Sequence, residues 1–171
     1  MPLKTSKLQT RSPLLSALLC AGLFIANVDV ANADATAPFA GLSGTWSGDG
    51  SILLTKGTTE RLRCDATYIV SGSGENLDLK LRCASDSYHF DLRVGLTDTT
   101  GTVLGSWSEA SQTVEGGISG TDSKGLIQVT ARGQTFSAAV TVATRGAQQS
   151  VRIRAQSGEL SQVNITLRHA H

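Results

Sequence analysis

The sequence predicts an all-β protein, an up-and-down antiparallel β-barrel of about 8–10 strands. Two observations carry this prediction: apolar and polar residues alternate after residue 42, and short glycine-rich turns join the alternating segments. A period of two is typical of half-buried strands, and no segment shows a helical period. Short sequential connections favour a meander, and a meander of this size without protected edges favours closure. A β-sandwich of two sheets is the alternative.

The predicted strands follow one another from residue 43 to residue 168. All three prolines (Pro2, Pro13 and Pro38) precede residue 39, so no proline assigns a strand to a sheet edge. The predicted strand segments are 43–54, 59–70, 76–84, 88–95, 102–109, 113–119, 125–132, 135–143, 150–156 and 161–168.

The segments 60–70 and 77–83 predict a hairpin with a defined register. If Val70 pairs with Leu77, the same register places Cys64 opposite Cys83. It also places Asp65 opposite Arg82, so opposite charges meet on the outer face. Directly opposed antiparallel residues have Cα atoms about 4.5–5.5 Å apart, which a disulfide tolerates. The sequence therefore predicts a structural disulfide between Cys64 and Cys83.

A second hairpin is predicted around Gly133 and Gln134. Glycine at the first central position is typical of a two-residue type II′ turn. That turn would place Ala131 opposite Phe136 and Val129 opposite Ala138.

Residues 1–33 have the three parts of a cleaved signal peptide. Lys4, Lys7 and Arg11 make the start basic, an apolar run covers 14–26, and Ala31-Asn32-Ala33 supplies small residues for cleavage. The apolar run would extend only about 20 Å as a helix, which is short for a bilayer core. We expect cleavage after Ala33 and a periplasmic or secreted protein without a transmembrane span in the mature chain.

Removing this leader changes the charge and the cysteine count. The full chain has a formal charge of +1, and the residues from 34 onward carry 12 basic and 13 acidic side chains. A charge near zero argues against a nucleic-acid partner. Cys20 leaves with the leader, so Cys64 and Cys83 remain in an oxidising compartment, where a disulfide is the expected state. We expect a flexible N-terminal segment over 34–42, the barrel over 43–168 and a tail over 169–171.

The start of the domain resembles the calycin family, which comprises the lipocalins and related barrels. The resemblance lies in the G-x-W motif Gly44-Thr45-Trp46 on the first strand and in Arg168 at the end of the last. It implies that Trp46 packs against Arg168 and closes one end of the barrel. The chain otherwise has the character of secreted bacterial β-proteins. It also resembles small periplasmic inhibitors of bacterial metalloproteases, which implies that residues 34–41 could occupy a protease cleft.

The sequence offers little catalytic or metal-binding chemistry. Ser87, His89 and Asp91 alternate along one predicted strand, where such side chains lie about 6.5 Å apart, too far for a hydrogen-bonded relay. His169 and His171 supply only two metal ligands, fewer than zinc sites use. We therefore predict no catalytic residues, no metal site and no cofactor, and a protein that is not an enzyme.

The inner face of the barrel is where a binding site could lie. It is rich in alanine, valine and glycine, and small side chains in a large barrel can leave a cavity rather than a filled core. We predict a non-catalytic module that binds a small apolar ligand. The alternative is a protein-interaction module, such as a periplasmic protease inhibitor or an envelope component. The predicted cavity walls are Tyr68, Tyr88, Phe90, Trp107 and Phe136.

Overall fold

The structure is a computed structural model that describes residues 37–170. Within this range the chain forms ten antiparallel strands and two one-turn 3-10 helices. The predicted signal peptide, its cleavage site and Cys20 lie outside the described residues. No helix in the described range is long and apolar enough to span a bilayer. The strands are β1 Gly44–Leu54, β2 Thr59–Ser71, β3 Asn76–Ala84, β4 His89–Thr99, β5 Thr102–Glu109, β6 Val114–Ser123, β7 Leu126–Gly133, β8 Ser137–Arg145, β9 Gln148–Ala155 and β10 Leu160–His169.

The ten strands close into one up-and-down barrel. Each strand pairs with its neighbours in sequence, and β1 also pairs with β10. Gly48 and Gly50 bring β1 close to β10, because a β-carbon at either position would collide with the Thr166 or Asn164 carbonyl oxygen. The predicted barrel is confirmed, and a sandwich of two sheets does not form because a single sheet closes on itself. Strands β4 and β6 run about four residues longer than predicted, to Thr99 and Ser123.

The first predicted hairpin register is confirmed between β2 and β3. Val70 pairs with Leu77, Asp65 with Arg82, and Cys64 with Cys83. The two cysteines form a disulfide with their Cα atoms 4.1 Å apart. This covalent cross-link joins two adjacent strands at an inward-facing position.

The predicted register of the second hairpin is wrong by two residues. Ala131 pairs with Ala138, and Val129 pairs with Val140. Gly133 continues β7 with no positive φ, so it does not form the type II′ turn, which requires a positive φ at that position. Because the displacement is an even number of residues, the predicted inward face of each strand is unchanged.

The two ends of the barrel differ in their connections. At one end, which we call the closed end, three strand pairs are joined by two-residue turns at 100–101, 124–125 and 146–147. Both residues have positive φ in Thr100-Gly101 and Lys124-Gly125, which is the type I′ geometry that matches strand twist. At the other end, the open end, the connections are longer: 55–58, 85–88, 110–113, 134–136 and 156–159.

Residues before β1 cover the closed end. A 3-10 helix at Ala40–Leu42 follows Phe39, whose side chain is fully buried and whose amide donates to the Gly74 carbonyl. Leu42 is also buried. The prediction of a flexible segment over 34–42 therefore fails for its described part, because apolar burial and backbone hydrogen bonds fix residues 37–42 on the barrel.

Trp46 is held by this segment and by the last strand. Its indole Nε1 donates to the Leu42 carbonyl at 2.8 Å, and its ring packs edge-on against His169 with centroids 4.9 Å apart. The implied contact with Arg168 is replaced by this contact with His169. Strand alternation explains the difference: His169 pairs with Trp46 and faces inward, so its neighbour Arg168 points outward and is exposed.

Two carboxylates lie together at the closed end. The Gly101 amide donates to Asp98 Oδ1 at 2.9 Å, and the Asp122 amide donates to the Gly101 carbonyl at 3.0 Å. Asp98 Oδ2 and Asp122 Oδ1 are buried and have no hydrogen-bond partner among the described residues. Burial raises the pKa of Asp122, and the nearby charge of Asp98 raises it further.

The disulfide should contribute measurably to stability. Cys64 and Cys83 are 19 residues apart, and closing a loop of that length restricts the unfolded chain by about 3 kcal/mol. We expect the double variant Cys64→Ala/Cys83→Ala to unfold at lower urea concentration, by about that free energy. Unreduced protein spanning 34–171 should show no reactive thiol. A urea midpoint that does not move on reduction would contradict this expectation.

Asp122→Asn should stabilise the barrel near neutral pH. Because the folded-state pKa of Asp122 is raised, the protonated form stabilises the fold below the ordinary carboxyl pKa of about 4, and this stabilisation is lost as pH rises through the folded pKa. The asparagine variant should therefore have a higher Tm at neutral pH, with a gain that shrinks in acid. Asp78→Asn, at an exposed outer position, is the matched control. An equal gain in Tm at all pH values would contradict this explanation.

Candidate functional site

The barrel encloses a cavity of about 970 Å³. Its wall consists mainly of inward-facing leucine, isoleucine, valine and alanine side chains from β2 to β10, with Ile52 from β1. Among the described residues, Leu42 is the one contributor from the closed-end connections and the segment before β1. The open-end connections contribute Tyr88, Ala110, Gln112, Thr113 and the residues 134–136 and 157–159. The cavity is therefore a cup with its floor at the closed end and its mouth at the open end.

The structure places all five predicted wall residues on the cavity lining. Tyr88 and Phe90 stack near the mouth, with ring centroids 6.4 Å apart and planes 24° apart. Trp107 and Phe136 form an edge-to-face pair with centroids 5.6 Å apart. Tyr68 lies deeper, against Trp46 of the floor. Aromatic surface is therefore concentrated in two pairs toward the mouth, on different strands.

Two glycines make the space that Trp107 occupies. Trp107 on β5 pairs with Gly116 on β6, which in turn pairs with Gly133 on β7. A β-carbon at Gly116 would lie 2.8 Å from Trp107 Nε1, and one at Gly133 would lie 3.1 Å from the far edge of the indole. The indole thus extends across two strands of the wall, because neither of them carries a side chain there.

The Trp107 indole N–H is a buried donor without a partner. The residue is only 8% exposed, and its Nε1 is buried with no acceptor among the described residues. A buried donor left unpaired costs about 1–3 kcal/mol, so such groups are rare in native proteins.

Three polar side chains at the floor of the cup are linked by hydrogen bonds. Tyr68 donates its hydroxyl to Gln149 Oε1 at 2.6 Å, and Gln149 Nε2 donates to Thr144 Oγ1 at 3.1 Å. Gln149 is fully buried. Burial raises the pKa of Tyr68 well above its ordinary value, although the hydrogen bond with Gln149 acts in the opposite direction. The hydroxyl is therefore a fixed neutral donor.

Carboxylates surround the mouth. Tyr88 donates its hydroxyl to Glu159 Oε2 at 3.0 Å, joining the β3–β4 and β9–β10 connections. This hydrogen bond, followed by burial and the charges of Glu159 and Glu60, raises the pKa of Tyr88. Glu60 accepts from Ser85 Oγ at 2.7 Å and from the Ser87 amide at 3.1 Å. The bond from Ser85 is the largest contribution to the lowered pKa of Glu60.

Glu109 shapes the loop that follows β5. Its side chain is only 6% exposed and accepts from the Asp91, Ser111 and Gln112 amides and from the Ser111 hydroxyl. Burial would raise the pKa of Glu109, but these donors outweigh it and the pKa lies below its ordinary value. The carboxylate is saturated by its own loop and has a structural role.

Ser87, His89 and Asp91, which alternate along the chain at the start of β4, are not arranged as a catalytic triad. The Ser87 amide binds Glu60, and Asp91 forms an ion pair with Arg82 at 3.2 Å. His89 is exposed at the start of β4. The structure thus supplies no relay among these three residues in their described positions.

Sequence reasoning missed several residues that build the cup. Phe39 and Leu42 of the floor precede the alternating pattern, and Gln149 is a polar residue at an inward position. Gly133 is predicted as a turn residue, whereas the structure uses its missing side chain to make room for Trp107. The usable signal for Gln149 was its place two residues before Val151 on the inward face.

Comparison with known proteins identifies the fold and no family. No family model and no curated protein matches the chain. Among solved structures, it resembles the S-type phycobiliprotein lyase CPES from Guillardia theta, with a TM-score of 0.54, 12% identity, and 78% of this chain and 90% of that chain covered. It also resembles Rv2717c from M. tuberculosis, with a TM-score of 0.57, 12% identity, and 77% and 94% covered. The chain therefore has a lipocalin-like, calycin-type barrel fold.

The prediction that the protein is not an enzyme is overturned by this comparison. A barrel of the same fold bears the name of a lyase. The absence of a recognisable triad or metal pattern in the sequence is therefore no ground for excluding activity.

The floor polar chain gives a test of the structure. Tyr68→Phe should lower the free energy of unfolding by about 1–3 kcal/mol, because Gln149 Oε1 stays buried without its donor. The double variant Tyr68→Phe/Gln149→Met should recover part of that loss, since it removes both partners. Urea denaturation measures the unmodified protein, the single variants Tyr68→Phe and Gln149→Met, and the double variant. A double variant as unstable as the sum of its singles would show that the two side chains are not coupled.

Proposed function

We propose that this protein binds a small apolar ligand inside its barrel. The observation that carries the proposal is the cup itself, a cavity of about 970 Å³ with an apolar wall, a covered floor and a mouth at one end. Ligand pockets span roughly 300–1,000 Å³ and are lined mainly by apolar and aromatic side chains. The cavity therefore has the size and chemistry of a ligand site.

Two cross-links within the barrel favour a preformed binding cavity over a collapsed core. The Cys64–Cys83 disulfide cross-links β2 with β3, and the Tyr68–Gln149 hydrogen bond joins β2 with β9, so both fix parts of the wall and floor in place. Apolar surface already facing a preformed space binds an apolar molecule without paying to order the protein.

A protein-interaction role has less support. The resemblance to protease inhibitors required residues 34–41 to be available, yet Phe39 is fully buried against the barrel. The described part of that segment is a floor in this structure.

We also propose that the protein acts in the periplasm or outside the cell. The disulfide supports an oxidising compartment, and the basic, apolar and Ala-Asn-Ala parts of residues 1–33 fit an export signal. The intact mass of protein recovered from an exporting host should correspond to a chain starting at Asp34. Recovery of an unprocessed chain in the reducing cytoplasm would contradict this part of the proposal.

Filling the cavity should abolish binding. Ala138 faces the lumen and is 1% exposed, whereas its neighbour Ala139 is exposed on the outer face. Ala138→Trp should lose uptake of the neutral fluorescent probe N-phenylnaphthylamine, because the indole occupies the space that the probe needs. Ala139→Trp, the same substitution one residue away, should bind like the unmodified protein.

Thermal melts separate lost binding from lost folding. If Ala138→Trp does not fold, Val140→Phe at the next lumen-facing position of β8 takes its place. A folded filled variant that takes up the probe with unchanged affinity contradicts the proposal, as does an unmodified barrel that takes up none. Native mass spectrometry of the purified protein is expected to show a co-purified apolar molecule.

A further inference from the structure

The cavity lining carries charge of one sign. Its charged residues are Glu109 and Glu159, with the exposed Glu115 at its rim, and no lysine, arginine or histidine among the described residues lines it. Glu109 is saturated by its loop, and Glu159 accepts from Tyr88 at the mouth. An anionic head group in this cup would lose its hydration, find no cation to pair with, and lie near like charges.

Among the described lining residues, one buried side-chain polar atom has no partner, and it is a donor. Trp107 Nε1 is buried without an acceptor, whereas the Tyr68 hydroxyl and the Gln149 amide are paired at the floor. Trp107 lies on the open-end half of β5, two residues before Glu109, so the residue that carries the donor is on the mouth side of the barrel. An unpaired donor in an apolar wall favours a ligand that brings an oxygen acceptor.

Phe136 is the aromatic neighbour of Trp107 at the mouth. Its ring packs edge-on against the indole at 5.6 Å, and it belongs to the connection 134–136 at the mouth. The nitrogen itself is buried in the structure, so an acceptor reaches it when the indole or a neighbouring group moves. A ring on a short surface connection moves at lower cost than one in the middle of a strand.

From these observations we infer the chemical class of the ligand. It is an uncharged, largely apolar molecule that carries a carbonyl or similar oxygen acceptor, bound with this oxygen toward Trp107, and it is not a carboxylate such as a free fatty acid. The inference rests on the proposed function, because it describes the occupant of the same cup.

The test compares probes of one chain length that differ only at the head. A long-chain methyl ketone, the matching fatty-acid carboxylate, the alkyltrimethylammonium and the plain alkane each compete with bound N-phenylnaphthylamine. At neutral pH the ketone should compete at a concentration about tenfold or more below that of the carboxylate. Acidification that protonates the fatty acid should narrow this difference and leave the ketone unchanged.

The variant Trp107→Phe tests the hydrogen-bonding role of the indole N–H separately from the packing of the aromatic ring. The variant keeps an aromatic side chain over Gly116 and Gly133 but has no N–H. It should weaken the ketone about fivefold or more and leave the alkane within about twofold. Equal weakening of ketone and alkane would show that Trp107 acts only through packing and would overturn the donor assignment.

The other outcomes distinguish the two proposals. If the carboxylate or the trimethylammonium competes as well as the ketone, the inferred ligand class is wrong while ligand binding in the cup stands. If the fluorescent probe itself does not bind the unmodified protein, the proposed function fails first.

Discussion

The pairing of β1 with β10 is the constraint on which the rest of the structure depends. These are the first and last strands of the domain, and their ladder turns an open meander into a barrel in which every described strand has two neighbours. Gly48 and Gly50 permit the close approach, since a β-carbon at either would strike the opposite backbone. Closure directs the inward residues of all ten strands at one shared space, and this gives the barrel a lumen.

The lumen stays open because side-chain volume is unevenly distributed around the wall. Ala131 and Ala138 pair on one side, while Trp107 and Phe136 supply large rings nearby. Trp107 packs against positions where the neighbouring strands have glycine, so part of its bulk fits into the wall. Ten strands enclose more space than such side chains can fill, which is the general trend as barrels widen.

The two ends of the barrel have different structural roles. Tight type I′ turns and the buried Phe39 cover one end, and Trp46 links that cover to both β1 and β10 through Leu42 and His169. Longer connections at the other end carry the carboxylates and the aromatic rings of the mouth. The Trp46 contacts and the Tyr68–Gln149 hydrogen bond fix the floor, whereas Trp107, with its unpaired N–H, lies on the mouth side of the barrel.

The sequence by itself determined which face of each strand points inward and, through Cys64 and Cys83, the register of one hairpin. Alternation is local information, and one covalent pair fixes one register. Only the tertiary structure decided the register of β7 and β8, because Gly133 serves Trp107 across two strands and does not form the predicted turn. It also decided that His169 packs on Trp46 and that the lumen is a cavity and not a filled core. These outcomes depend on residues distant in sequence, whose volumes and contacts meet only after the barrel closes.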